Sequence, residues 1–210
     1  MDIRDATTDD VDFIAWVMLA ASRSHLPRGL WEYIYDWDES TTLEFLRRLA
    51  VTDDVHVFHH SLFVIASVDD IPAAAMCGYE ADTQGIAVAM PSIGTIGMEL
   101  GMTMDDAFMR RATAVGAVTP EVAEGSWVVE NVATRPEFRR RGLTQALLEH
   151  VLDRGRSRDL ALSQIAVFLG NSPAREAYIR AGYELKDERR DAVFEADMGC
   201  PGVERLVMTL

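Results

Sequence analysis

Three arginines and a glycine stand where an apolar strand gives way to a helix. Trp127 to Thr134 is an apolar run of strand length, and Arg135-Pro136-Glu137-Phe138 has turn chemistry. Arg139-Arg140-Arg141-Gly142 then opens a helical segment running to about Arg158. Leu143, Ala146, Leu147, His150 and Val151 fall on one face of it at helical spacing. The first N–H groups of a helix lack internal partners and lie at the positive end of the dipole. A strand, a turn and a helix opening in this way form an anion site. Gly142 removes a side chain that would crowd the anion, and the arginines put three cations beside it.

That cluster is local. The 210 residues carry 34 acidic and 20 basic side chains, a formal net charge of −14. A chain of this balance is no general nucleic-acid binder, since that role needs a basic patch. The expected ligand of the loop is a small molecule with several phosphate charges. Two cysteines, Cys77 and Cys200, cannot form a disulfide framework, and neither lies at metal-ligand spacing. No metal is expected. His59-His60 lacks a third ligand and reads as structural or surface. The N-terminus has no signal-peptide pattern, and no apolar run reaches membrane-spanning length. The expectation is a soluble, cytoplasmic protein with no membrane partner.

The rest of the chain reads as one α/β domain over 1–210 with a mixed sheet. A helix follows Thr7-Thr8-Asp9-Asp10, and another runs from Ser40 to Ala50, capped at Ser40 or Thr41. Leu62–Val68 and Pro72–Glu80 form a hairpin across Asp69-Asp70. Leu160–Leu169, Tyr183–Arg190 and Val203–Leu210 are further strands. A helix follows Asn171-Ser172-Pro173 and ends at Gly182, and Met198–Gly202 is a turn or bulge. Residues 81–125 read as an insert. Within it, Met104–Val115 is helical, and the Gly- and Met-rich stretch 91–102 suggests a loop that closes over a substrate. Trp31, Tyr33, Tyr35 and Trp37 either line a binding site or pack a helix pair.

Arg139-x-x-Gly142-x-Thr144, after Val132-Ala133-Thr134-Arg135-Pro136-Glu137-Phe138, resembles the acyl-CoA-binding motif of the GNAT superfamily of N-acetyltransferases. Downstream, Asn171-x-x-Ala174-x-x-x-Tyr178-x-x-x-Gly182-Tyr183 matches a second family pattern. The opening Ile-Arg-Asp-Ala-Thr segment and the Phe63–Glu80 hairpin also look alike. The resemblance covers the chain except 26–61 and 81–125. One position departs: Thr144 stands where the family has Gly or Ala, which should alter cofactor affinity without removing the site.

The resemblance implies a sheet of six to seven strands whose fourth and fifth strands splay apart around acetyl-CoA. The backbone of Val132, Ala133 and Thr134 would pair with the pantetheine arm. Arg139 would add charge, and the N–H groups of Arg140, Arg141, Gly142, Leu143, Thr144 and Gln145 would hold the pyrophosphate. Asn171 would bond the arm or simply cap its helix. Tyr178 matches the family's general acid, set to touch the sulfur and protonate the departing thiolate. The fifth strand has no Glu to serve as base. Glu130, in an otherwise apolar strand, is the better candidate, with Glu99 and Glu80 weaker ones. The acceptor would be a primary amine of a small molecule or a peptide, and the acidic balance favours cationic ones. A homodimer is compatible with this reading. A non-catalytic acyl-CoA sensor on the same fold is the alternative. A Rossmann domain is disfavoured, because no Gly-x-Gly-x-x-Gly run exists.

Overall fold

The computed structural model describes residues 1–210. In chain order the regular elements are β1 (Asp2–Asp5), α1 (Val11–Arg23), α2 (Leu30–Tyr35), α3 (Glu39–Leu49), β2 (Phe63–Val68) and β3 (Ile71–Glu80). They continue with α4 (Ala81–Gln84), α5 (Ile86–Glu99), α6 (Asp106–Val118), β4 (Ser126–Thr134), α7 (Leu143–Arg156) and β5 (Leu162–Phe168). The chain closes with α8 (Ser172–Arg180), β6 (Glu184–Arg190), α9 (Ala192–Met198) and β7 (Gly202–Thr209). The seven strands form one sheet in the order β1-β2-β3-β4-β5-β7-β6. Only β4 and β5 run parallel; every other neighbouring pair is antiparallel.

Alternation along the central strands sorts their side chains onto two faces. Phe63, Ile65, Ala75, Cys77, Tyr79 and Val128 pack with α1, α3 and α5. Val64, Ala74, Met76, Trp127 and Val129 pack with α7 on the other face. Helix α7 comes very close to the sheet because Gly78 carries no side chain. A Cβ there would lie 2.4 Å from Val151 and 2.7 Å from Trp127. A third, smaller core joins α2, α6 and α9 to Phe168 and Val203. Cys77 and Cys200 are both buried free thiols.

Three local expectations need correction. The α3 cap is Asp38, whose carboxylate accepts a hydrogen bond from the Thr41 N–H at 2.8 Å, so the helix starts before Ser40. Ala192–Met198 is a helix in the connection expected only to turn. Its signal was local, with Asp191 accepting from the Phe194 N–H and Gly199 ending the helix at φ 71°. The segment 91–102 is not an open loop. Most of it lies in α5, where Ile93 and Ile96 are buried in the core. Apolar spacing there outweighs the conformational freedom of Gly94 and Gly97.

Candidate active site

Strands β4 and β5 pair only from Ser126↔Leu162 to Val129↔Ile165. Past that point they separate. Strand β5 keeps its ladder with β7 through Phe168, and β4 keeps its ladder with β3. The bend in β4 has a visible cause. Ala75 pairs with Ala133 and Cys77 with Glu130, so two β4 residues, Asn131 and Val132, oppose one β3 residue. Asn131 takes φ 52°, and the resulting bulge turns the strand end away from β5.

The gap opens into a cavity of about 1600 Å³. Val132, Ala133 and Thr134 line it from β4, and Arg139, Arg140, Gly142, Leu143, Thr144 and Gln145 line it from the loop and the start of α7. Asn171 and Tyr178 enter from α8, and Glu130 from β4. Thus, the two weaker base candidates aside, every anticipated site residue but one reaches a single cavity. The exception is Arg141, whose guanidinium lies over the Phe138 ring, 5.2 Å from its centroid.

The loop conformation follows from its residues. Gly142 is the α7 N-cap and has φ 79°, a region that penalises any side chain. A Cβ built there meets no heavy atom within 4 Å, so the space in front of the helix start is open. Arg140 also takes a left-handed φ of 61°, an uncommon choice for a residue with a Cβ. Helix α7 runs for 14 residues, so its first N–H groups and dipole face this opening. An anionic diphosphate fits that open cradle.

Glu130 lies on the α1 face of the sheet beside Cys77 and near Tyr79. Burial pushes its carboxyl up to about 7, while hydrogen bonding from Tyr79 works the other way. Tyr178 is 6% exposed. Burial, then the neighbouring Tyr183, holds its phenol well above the ordinary range. Asn171 does cap α8: its Oδ1 accepts from the Ala174 N–H at 3.3 Å, while its Nδ2 donates to the Ser24 hydroxyl at 2.7 Å. Glu99 instead pairs with Arg48 and Glu80 with Arg158, and neither lines the cavity.

The rest of the cavity comes from segments that carry no motif. Trp31 and Tyr35 of α2 and Phe108 of α6 line it, with Ile86, Met90 and Ile93 of α5. Trp31 and Tyr35 therefore do both of the things expected of them, since they also stack on each other at 6.2 Å. Tyr33 points elsewhere and donates to Asp197 at 2.6 Å, and Trp37 stacks on Tyr35. Tyr79 was not anticipated. Its signal was a single large aromatic in the small-residue strand Ala73-Ala74-Ala75-Met76-Cys77-Gly78-Tyr79.

Residues 30–183 match the family model described as "Acetyltransferase (GNAT) family". The chain belongs to the GNAT acetyltransferase family. Solved structures share its fold. An N-acetyltransferase from Staphylococcus aureus Mu50 superposes with a TM-score of 0.65 at 16% identity, covering 99% of this chain and 100% of its own. The apo form of a mutant agmatine N-acetyltransferase gives 0.58 at 16% identity, covering 100% and 99%. A PaiA N-acetyltransferase from Thermoplasma acidophilum, in complex with coenzyme A, gives 0.50 at 11% identity, covering 100% and 98%. No curated protein sequence matches the chain. No helix is long and apolar enough to cross a membrane.

Proposed function

We propose that this protein transfers an acetyl group from acetyl-CoA to a primary amine. The observation that carries the reading is the gap between β4 and β5, which opens beside the Gly142 cradle within one cavity. The edge of β4 from Val132 to Thr134 has no β5 partner and is free to pair with an extended amide-bearing arm. The N–H groups from Arg140 to Gln145, with the Arg139 and Arg140 side chains, hold the diphosphate. Acetyl-CoA supplies the activated acyl group.

Glu130 accepts a proton from the incoming ammonium, directly or through a water, so that the amine attacks in its neutral form. A carboxyl near 7 suits that task at neutral pH. Tyr178 donates its hydroxyl proton to the sulfur as the thiolate leaves, and its phenolate recovers a proton as the acylated nitrogen becomes the neutral amide. Its burial keeps the phenol protonated until that moment. The amine enters from the α2, α5 and α6 side, because the opposite arm of the cavity is built from the loop and α8.

Thiol release from acetyl-CoA, followed with and without amines, tests this directly. Amine-dependent release matched mole for mole by N-acetylated product is expected. Tight CoA binding without turnover of any amine would instead make the protein a sensor of acyl-CoA.

A further inference from the structure

The amine arm of the cavity has a chemical bias. None of the residues that α2, α5 and α6 contribute to the lining is charged. Four of the aromatic lining residues form one connected wall. Phe58 meets Trp31 edge-on at 5.1 Å, Trp31 stacks on Tyr35 at 6.2 Å, and Tyr35 stacks on Phe108 at 5.9 Å. Phe58 is buried and the other three rings are half-buried, and burial alone pushes the Tyr35 phenol up to about 12. Ile93 and Val118, both buried, line the cavity from α5 and α6.

The cavity lining holds three carboxylates, of which Glu176 is exposed on α8, outside the wall built by α2, α5 and α6. Glu130 lies inside, on β4. Asp82 of α4 lies exposed at the rim, where it accepts a hydrogen bond from the Gly125 N–H at 3.0 Å. Arg205, also in the lining, is held by Asp187 and by the Glu121 carbonyl.

Resting on the acetyl-transfer reading above, we infer that the acceptor is a monoamine on an aromatic or aliphatic body, its ammonium directed to Glu130. One interior carboxylate neutralises one ammonium. A second ammonium, as in a polyamine, would sit against apolar rings with no partner, a costly burial. A peptide would bring amide groups to walls that offer them almost no hydrogen-bond partners. An apolar body loses nothing there and gains ring contacts.

The test is calorimetric titration of the CoA-saturated protein with 2-phenylethylamine, with spermidine and with an alanine-initiated tripeptide. Phenylethylamine should bind on the order of 10²-fold more tightly than either. Spermidine or the tripeptide binding as tightly, or phenylethylamine failing to bind, would overturn the inference. Phe108→Ala, at a half-buried position, should weaken phenylethylamine about tenfold through the lost ring contact and leave CoA affinity alone. Unchanged amine affinity in that variant would also overturn it. Acetyl transfer is measured separately. Phenylethylamine that binds as expected without being acetylated would sink the catalytic reading while supporting the acceptor class.

Discussion

The Thr134 hydroxyl at the end of β4 lies 3.3 Å from the Thr144 hydroxyl in the first turn of α7. This contact ties the edge of the splayed strand to the helix start that faces the cavity. It accounts for a β-branched residue where the family carries Gly or Ala, since the Thr144 side chain has a partner across the loop. Thr144→Ala should remove that bond at a cost of about 1 kcal/mol, a drop of roughly 2–4 °C in Tm. CoA affinity should shift by less than about tenfold in either direction. Loss of all measurable CoA binding would mean the hydroxyl is itself an essential phosphate ligand.

Glu130 gives the reaction a pH dependence with a definite sign. Its carboxyl titrates near 7, so kcat/KM should rise with pH through that value, and Glu130→Gln should flatten the limb and lower the rate. The same group links folding to pH. Its folded pKa lies above the ordinary value of 4.5, so the folded state binds the proton more tightly. Its contribution is therefore most favourable below about pH 4.5 and is lost as pH rises through about 7. Glu130→Gln should thus raise Tm at pH 8 relative to wild type, by no more than about 3 kcal/mol of stability, and change it little at pH 5. A pH profile of activity and melting in both proteins checks both signs, and a variant that keeps the wild-type limb would remove Glu130 from the proton path.

Tyr178 packs against Tyr183 at 6.3 Å in an edge-on arrangement, so its ring is part of the core as well as the cavity wall. Tyr178→Phe keeps that packing and removes only the hydroxyl. The expected result is wild-type CoA affinity with kcat lower by on the order of 10²-fold. An undiminished kcat would leave Tyr178 as a packing residue alone.

Placement that depends on near neighbours in the chain was legible in the sequence. The Arg139–Gln145 loop, the Asn171 cap and the Tyr178 position each depend on neighbours within a few residues, and all reach one cavity. The β2–β3 hairpin and α7 were legible for the same reason: a continuous apolar run broken by Asp69-Asp70 marks the hairpin, and apolar residues at helical spacing mark α7. What was hidden depends on distant pairing. The β4 bulge at Asn131 exists only against the β3 register, and the α2–α6 aromatic wall joins Tyr35 to Phe108 across 73 residues of chain. In α5 the glycines and methionines suggested a loop that closes over a substrate, yet Ile93 and Ile96 bury that segment. Gly97 lets Met102 fold back against the helix, its Sδ 3.0 Å from where a Cβ would stand.

The central claim is that the open cradle at Gly142 holds the diphosphate of acetyl-CoA, and titration of CoA into wild-type protein and Gly142→Glu tests it most directly. A Cβ at Gly142 touches no protein atom, so the variant should fold with only the cost of its left-handed backbone, roughly 1–2 kcal/mol. The added side chain brings bulk and negative charge to the space in front of α7. One-to-one binding in the micromolar range is predicted for wild type, with no detectable heat from a variant whose far-ultraviolet circular dichroism is unchanged. Equal CoA affinity in the two folded proteins would contradict the account.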